Sequence, residues 1–143
     1  MNILEMTIEH YDAVLNLMRQ TPGVAVREAD SSEATQRYLL RNPGLSFVAQ
    51  HDGKIIGCAM CGHDGRRGYL QHVAVDPAFR GQGIAHALVT RCLDGLEAIG
   101  ILKSHIDVFR INVIGNTYWT RRGWKRRTDI YRYSYIRSDN ENA

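Results

Sequence analysis

Cysteine is scarce in this chain: three in 143 residues. Cys58 and Cys61 fall within one predicted strand, three positions apart, so they face opposite ways and are poorly placed to bridge. With only Cys92 besides, there is no pair of C-x-x-C motifs, which excludes a structural zinc site of that kind; no metal is expected. Buried thiols in a reducing cytoplasm are the expectation. No apolar run approaches the ~20 residues of a membrane span. The segment Met1-Asn2-Ile3-Leu4-Glu5 has no basic stretch followed by an apolar one, so no secretory leader is expected. No Gly-Lys-Ser/Thr occurs, which excludes a P-loop, and no internal repeat, linker or low-complexity segment interrupts the chain.

What is present fits one globular domain over 1–143, with a frayed tail from about 138, long enough for a real core. The net charge is +3. Arg121, Arg122, Lys125, Arg126 and Arg127 concentrate basic charge in a short run. Such a face suits cofactor phosphates, an acidic partner or nucleic acid, or is a solvated surface. Nucleic acid ranks last, because the run carries no binding motif.

The chain is organised around Asp76-Pro77-Ala78-Phe79-Arg80-Gly81-Gln82-Gly83-Ile84-Ala85. The apolar run Val73-Ala74-Val75 leads in, and an amphipathic helical pattern from about Ile84 to Ile99 leads out. Gly81 and Gly83 let the backbone take positive φ and approach a ligand closely. The first helical turn has N–H groups without intrahelical partners, and the dipole points its positive end at the loop. The turn is therefore an anion site suited to a phosphate or pyrophosphate, with Arg80 at its rim. A dinucleotide fingerprint would need a third glycine where His86 stands.

Along the chain, residues 2–6 read as a strand. Thr7 caps a helix with Ile8, Tyr11, Leu15 and Met18 on one face, ended by Pro22-Gly23. Asp30 or Ser31 caps a second, with Ala34, Tyr38 and Leu39 apolar, ended by Asn42-Pro43-Gly44. Leu45–Gln50 and Lys54–Cys61 form a hairpin about Asp52-Gly53. A turn at Asp64–Gly68 leads to a third strand, Tyr69–Val75. After the long helix come a strand over Ser104–Phe109 and a short helix from Asn112 to about Arg122, closed by Gly123. The tail from Trp124 to Arg137 reads as two strands, on the alternation of Tyr131, Tyr133 and Tyr135 with Arg132 and Ser134. The order β-α-α-β-β-β-α-β-α-β-β is an α+β pattern.

This order, and the loop, resemble the GNAT superfamily of N-acetyltransferases. Its coenzyme A pyrophosphate loop reads [Q/R]-x-x-G-x-[G/A], which Arg80, Gly83 and Ala85 fill, after a Val-x-Pro met by Val75-Asp76-Pro77. A second signature, N-x-x-A-x-x-x-Y-x-x-x-G-F, is matched in spacing by Asn112, Gly115, Trp119, Gly123 and Trp124. Gly115 stands for the alanine and Trp119 for the tyrosine. The resemblance implies a mixed, mostly antiparallel sheet flanked by helices. It implies acetyl-CoA as co-substrate, held by Val73, Ala74, Val75, Arg80, Gly81, Gln82, Gly83, Ile84 and Ala85, with Asn112 and Trp119 beside the cofactor arm. A cytoplasmic enzyme acetylating a primary amine (small molecule, peptide N-terminus or lysine) by direct attack in a ternary complex is expected, with no membrane partner. A homodimer is compatible with that reading.

The proton handlers are less regular. A Glu of many family members is matched here by Gln71, which cannot accept a proton. His72 is the nearest titratable side chain, though strict alternation would put it on the opposite face. Glu28, Asp30 and Asp107 are further candidates through a water, while His63, His86 and His105 read as ordinary surface or core residues. Trp119 occupies the family's acid position, and an indole N–H is no acid at neutral pH. Either Tyr118 swings in as proton donor, or the thiolate leaves unprotonated, or the protein is an acyl-CoA-binding module without fast turnover; Trp119 itself then packs beside the cofactor arm. For a cationic amine the acceptor side offers Glu28, Asp30, Tyr38 and the tail tyrosines.

Overall fold

Five strands form one mixed sheet in the order β1-β2-β3-β4-β5 in the computed structural model, which describes all residues 1–143. They are β1 (Asn2–Glu5), β2 (Phe47–His51), β3 (Lys54–His63), β4 (Gly68–Val75) and β5 (Ser104–Ile106). The first four are antiparallel and β5 runs parallel to β4. The helices are α1 (Tyr11–Arg19), α2 (Ser32–Arg41), α3 (Ile84–Ala98) and α4 (Val113–Arg121). The chain divides into two compact units, Met1–Asp107 and Val108–Ala143.

In the first unit the local rules act as the residues dictate. Asp52 and Gly53 both take positive φ (48° and 76°), the geometry a two-residue hairpin turn needs. Thr7 leads into a 3-10 turn at Ile8–His10 before α1, and Ser31 caps α2 by accepting the Ala34 N–H at 3.2 Å. The core on one sheet face joins Met6, Val14, Leu17 and Met18 to Val48, Cys58, Met60 and Ala74. Val14 and Leu17 are buried where the sequence reading had Ile8, Tyr11 and Leu15, which are only half-buried. Side chains alternate along β3, so the neighbour of Cys58, Gly57, faces the other way. A Cβ there would lie 3.1 Å from Leu88 and 3.2 Å from Ile84, so α3 lies close against β3. At Gly68 a Cβ would fall 2.5 Å from Leu96, again because α3 sits on the strand. Leu88, Cys92 and Leu96 are fully buried, each leucine contributing about 1.5–3 kcal/mol.

In the second unit, Asn112 caps α4, its Oδ1 accepting the Gly115 N–H at 2.9 Å. Trp119 is buried, with Tyr118 (5.0 Å between ring centroids) and Trp124 (4.8 Å) packed edge-on around it. The predicted strands of the tail are not formed: no strand follows β5, and Tyr131, Tyr133 and Tyr135 are 88%, 91% and 87% exposed. Alternation supplies a face but no ladder. Without a neighbouring strand, extended backbone has nothing to bond. Lys125, Arg126, Arg127, Arg132 and Arg137 also deny the segment a continuous apolar surface. Strand β5 is shorter than expected, ending at Ile106 rather than Phe109.

Candidate active site

Strand β4 carries the site, and its pairing explains how. Strand β5 bonds only Gly68–Leu70, so the edge of β4 from Gln71 to Val75 has no partner on that side. On the β3 side the register runs Met60↔Gln71 and then Cys58↔Ala74, placing His72 and Val73 opposite the single residue Ala59. This is a β-bulge, which bends a strand and re-aims a side chain. His72 takes φ +51°, a region few non-glycine residues adopt. Strict alternation, assumed in reading the sequence, therefore fails at this position.

The re-aimed His72 meets Asp30, in the 3-10 turn Glu28–Asp30 between α1 and α2, with Nε2 2.7 Å from Oδ1. Both side chains are largely buried, 16% and 8% exposed. Asp30 Oδ2 accepts the Arg27 N–H at 2.8 Å, and the Asp30 carbonyl accepts the Tyr11 hydroxyl at 2.6 Å. Burial pushes the Asp30 carboxyl up, but the His72 hydrogen bond, the Arg27 N–H and the His72 charge outweigh it and hold the group below its ordinary value. The Cys58 thiol donates to the His72 carbonyl at 3.1 Å, and burial pushes that thiol up to about 12, so it remains a donor. Gln71 is exposed beside this pair.

Beyond Val75, Asp76 caps a 3-10 turn at Pro77–Phe79, accepting the Ala78 N–H at 2.9 Å. That bond, opposed by slight burial and aided by Lys54 at 3.3 Å, holds the Asp76 carboxyl below its usual range. Arg80 Nε donates to the Val75 carbonyl at 3.4 Å, tying the loop to the strand end. Gly81 and Gly83 take φ +79° and +78°, and a Cβ on either would point into open space. No side chain caps α3, and the Ala87 N–H is bonded to the Gly83 carbonyl at 3.0 Å as the ladder begins. The earlier N–H groups of the first turn have no intrahelical partner, the chemistry of an anion site.

Asn112, Tyr118 and Trp119 lie in the second unit. The Asn112 oxygen is committed to its cap, and a Cβ at Gly115 would come 2.6 Å from Asn112 Nδ2; glycine in place of alanine leaves that amide its room. Burial raises the Tyr118 hydroxyl above its ordinary value, opposed by Arg122, whose guanidinium lies 5.7 Å from the ring centroid. The Tyr38 hydroxyl is buried without a partner, and burial raises it. That oxygen lies against Gly62 of β3, where an added Cβ would come 2.9 Å from it. Sequence reasoning listed His72 and Asp30 separately and missed their pairing. The signal was faint: an apolar, β-branched strand interrupted by Gln71-His72.

A mixed sheet with a glycine loop between a bulged strand and an uncapped helix start defines an α+β domain. The chain belongs to the acetyltransferase (GNAT) family, whose model matches residues 11–124. It is similar to an acetyltransferase of Pectobacterium atrosepticum, 44% identical over 82 residues that span 56% of this chain and 58% of that one. An acetyltransferase of Photorhabdus laumondii is 40% identical over 82 residues, spanning 57% and 54%. The chain thus matches somewhat more than half the length of these relatives. Among solved structures, the fold is similar to a PaiA N-acetyltransferase of Thermoplasma acidophilum in complex with coenzyme A. That likeness has a TM-score of 0.75 and 19% identity, over 85% of this chain and 87% of that one. It is also similar to AAC(6')-Iy in complex with a CoA-linked bisubstrate analogue, with a TM-score of 0.73 and 23% identity over 94% and 97%. No helix is long and apolar enough to cross a membrane.

Proposed function

We propose that this chain transfers an acetyl group from acetyl-CoA to a primary amine by direct attack in a ternary complex. The observation that carries the reading is the bare start of α3, with Gly81 and Gly83 in the left-handed region directly beyond β4. The loop N–H groups hold the pyrophosphate, with Arg80 at the rim. The open edge of β4 at Val73–Val75 takes the pantetheine arm as an added strand, and a backbone N–H there faces the thioester oxygen, where charge develops. Asn112 and Trp119 of the second unit are assigned to cofactor binding on the family signature that they match in spacing. The family match runs through residues of both compact units, which supports reading 1–143 as one functional domain.

His72 accepts the proton of the attacking amine, and Gln71, a neutral amide, does not. Tyr118 stays protonated near neutral pH and donates to the departing sulfur. A thiol with an ordinary pKa near 8.5 leaves readily as thiolate, so a hydrogen bond is enough. Three free, buried cysteines support a reducing, cytoplasmic setting.

Calorimetry with coenzyme A and acetyl-CoA tests the cradle. Thiol release is then followed with spermidine, an α-amino acid amide, a lysine peptide and an aminoglycoside. Heat of binding plus release with one amine is the expected result; no heat on folded protein overturns the reading. Binding without release from any of the four favours a second reading, an acyl-CoA-binding module, motivated by Gln71 and Trp119 at the usual positions of base and acid.

A further inference from the structure

The pairing of His72 with Asp30 joins residues 42 positions apart through a buried contact of 2.7 Å. Three neighbouring elements hold it. Tyr11 of α1 donates to the Asp30 carbonyl, Arg27 donates its backbone N–H to Asp30 Oδ2, and Cys58 of β3 donates its thiol to the His72 carbonyl. His72 sits at a bulge in a backbone conformation that few side-chain-bearing residues adopt and that persists when its surroundings fix it. A solvent-facing histidine would need none of this.

We infer that Asp30 is a positioning residue: it fixes His72 as the tautomer protonated on Nε2, leaving Nδ1 as the atom that takes the proton of the acceptor amine. This rests on the reading of His72 as the base. An ionised carboxylate only accepts hydrogen bonds, so the ring nitrogen it touches must carry the hydrogen. The other nitrogen then holds the lone pair. The hydrogen bonds already described on Asp30 favour its ionised form.

The same geometry dictates what an isosteric amide would do. In Asp30→Asn the Arg27 N–H still demands an acceptor, so the amide oxygen turns to Arg27 and the NH2 turns to His72. Nε2 must then accept, and the hydrogen moves to Nδ1. The base atom loses its lone pair while the fold keeps its contacts.

The test is nitrogen NMR on the full chain labelled with 15N-histidine, at a pH where the ring is neutral. In the wild type, Nε2 protonated and Nδ1 unprotonated is expected; the opposite tautomer, or an even mixture, overturns the proposal without any variant having to fold. In Asp30→Asn the tautomer should reverse, and kcat for the amine giving the fastest thiol release in the panel above should fall about 100-fold. The KM for acetyl-CoA should stay unchanged. An unchanged tautomer or an unchanged kcat overturns the role of Asp30. His72→Gln separates the two ideas: if it keeps wild-type kcat, the base reading falls, and if it loses activity while Asp30→Asn does not, only the positioning role falls.

Discussion

Helix α3 begins at Gly83, with φ +78° and no side chain on the N–H groups of its first turn. Helix α4 begins at Asn112, whose oxygen takes the Gly115 N–H at 2.9 Å. The two starts solve the same problem, unpaired donors at a helix N-terminus, in opposite ways. One satisfies a donor from its own chain, and α4 is stabilised accordingly. The other leaves its donors exposed at a loop with open space around both glycines. In the proposed function it is the bare start that meets the ligand. The anchoring differs too. Helix α3 is pressed onto the sheet where Gly57 and Gly68 admit it, whereas α4 packs through Trp119 against Tyr118 and Trp124.

That contrast can be broken at either end. The largest effect is expected at Gly83→Ala. A Cβ costs roughly 1–2 kcal/mol in the left-handed region and stands in the ligand's space. Coenzyme A affinity should fall on the order of 100-fold by calorimetry, a loss of about 2.7 kcal/mol, with the circular dichroism of the native fold retained. Equal affinity in the folded variant would mean that the bare start binds nothing. Next comes Gly68→Ala, which drives a methyl against Leu96 and Ser104. Overpacking should cost about 1–3 kcal/mol in urea unfolding. Asn112→Ala removes the cap of α4 and should cost about 1 kcal/mol; if it cost nothing, the two starts would not differ energetically as described.

The smallest effect sharpens the comparison with a third turn. Asp30 accepts the Arg27 N–H as a cap does, but shares its carboxylate with His72. Its folded-state pKa lies below the unfolded value near 3.9, so its stabilisation is present above about pH 4 and drains away as pH falls through the folded value. Wild type should therefore exceed Asp30→Asn in urea midpoint at about pH 7, with the gap narrowing toward about pH 3. A gap that widened in acid would contradict the bonding described.

Much of this was legible in residue order because the cues were local. Asp52-Gly53 announced its hairpin, the pair Asp30-Ser31 the start of α2, and the glycines of the loop their φ, since each acts within a few residues. The limits of α3 followed from Gly83 and Gly100. The bulge at His72 was not legible. It is a count mismatch between two strands, and a period-two reading presumes the counts agree. The Asp30 contact followed the bulge out of reach, being set by tertiary packing of a turn onto a strand. The tail failed for a related reason: tyrosines at 131, 133 and 135 say which face an extended segment would show, but not whether a neighbour exists to bond it.

The three cysteines have a practical consequence. All are free and buried; burial lifts the Cys58 thiol to about 12, and bonding to Cys61 together with burial lifts Cys92 further. A reagent must reach the sulfur, and burial withholds all three from it in the native molecule. A chromogenic disulfide reagent added to a turnover mixture would therefore report released coenzyme alone, with the unreacted protein as a silent background. A single engineered surface cysteine would accept a fluorescent label without competition from the native sulfurs.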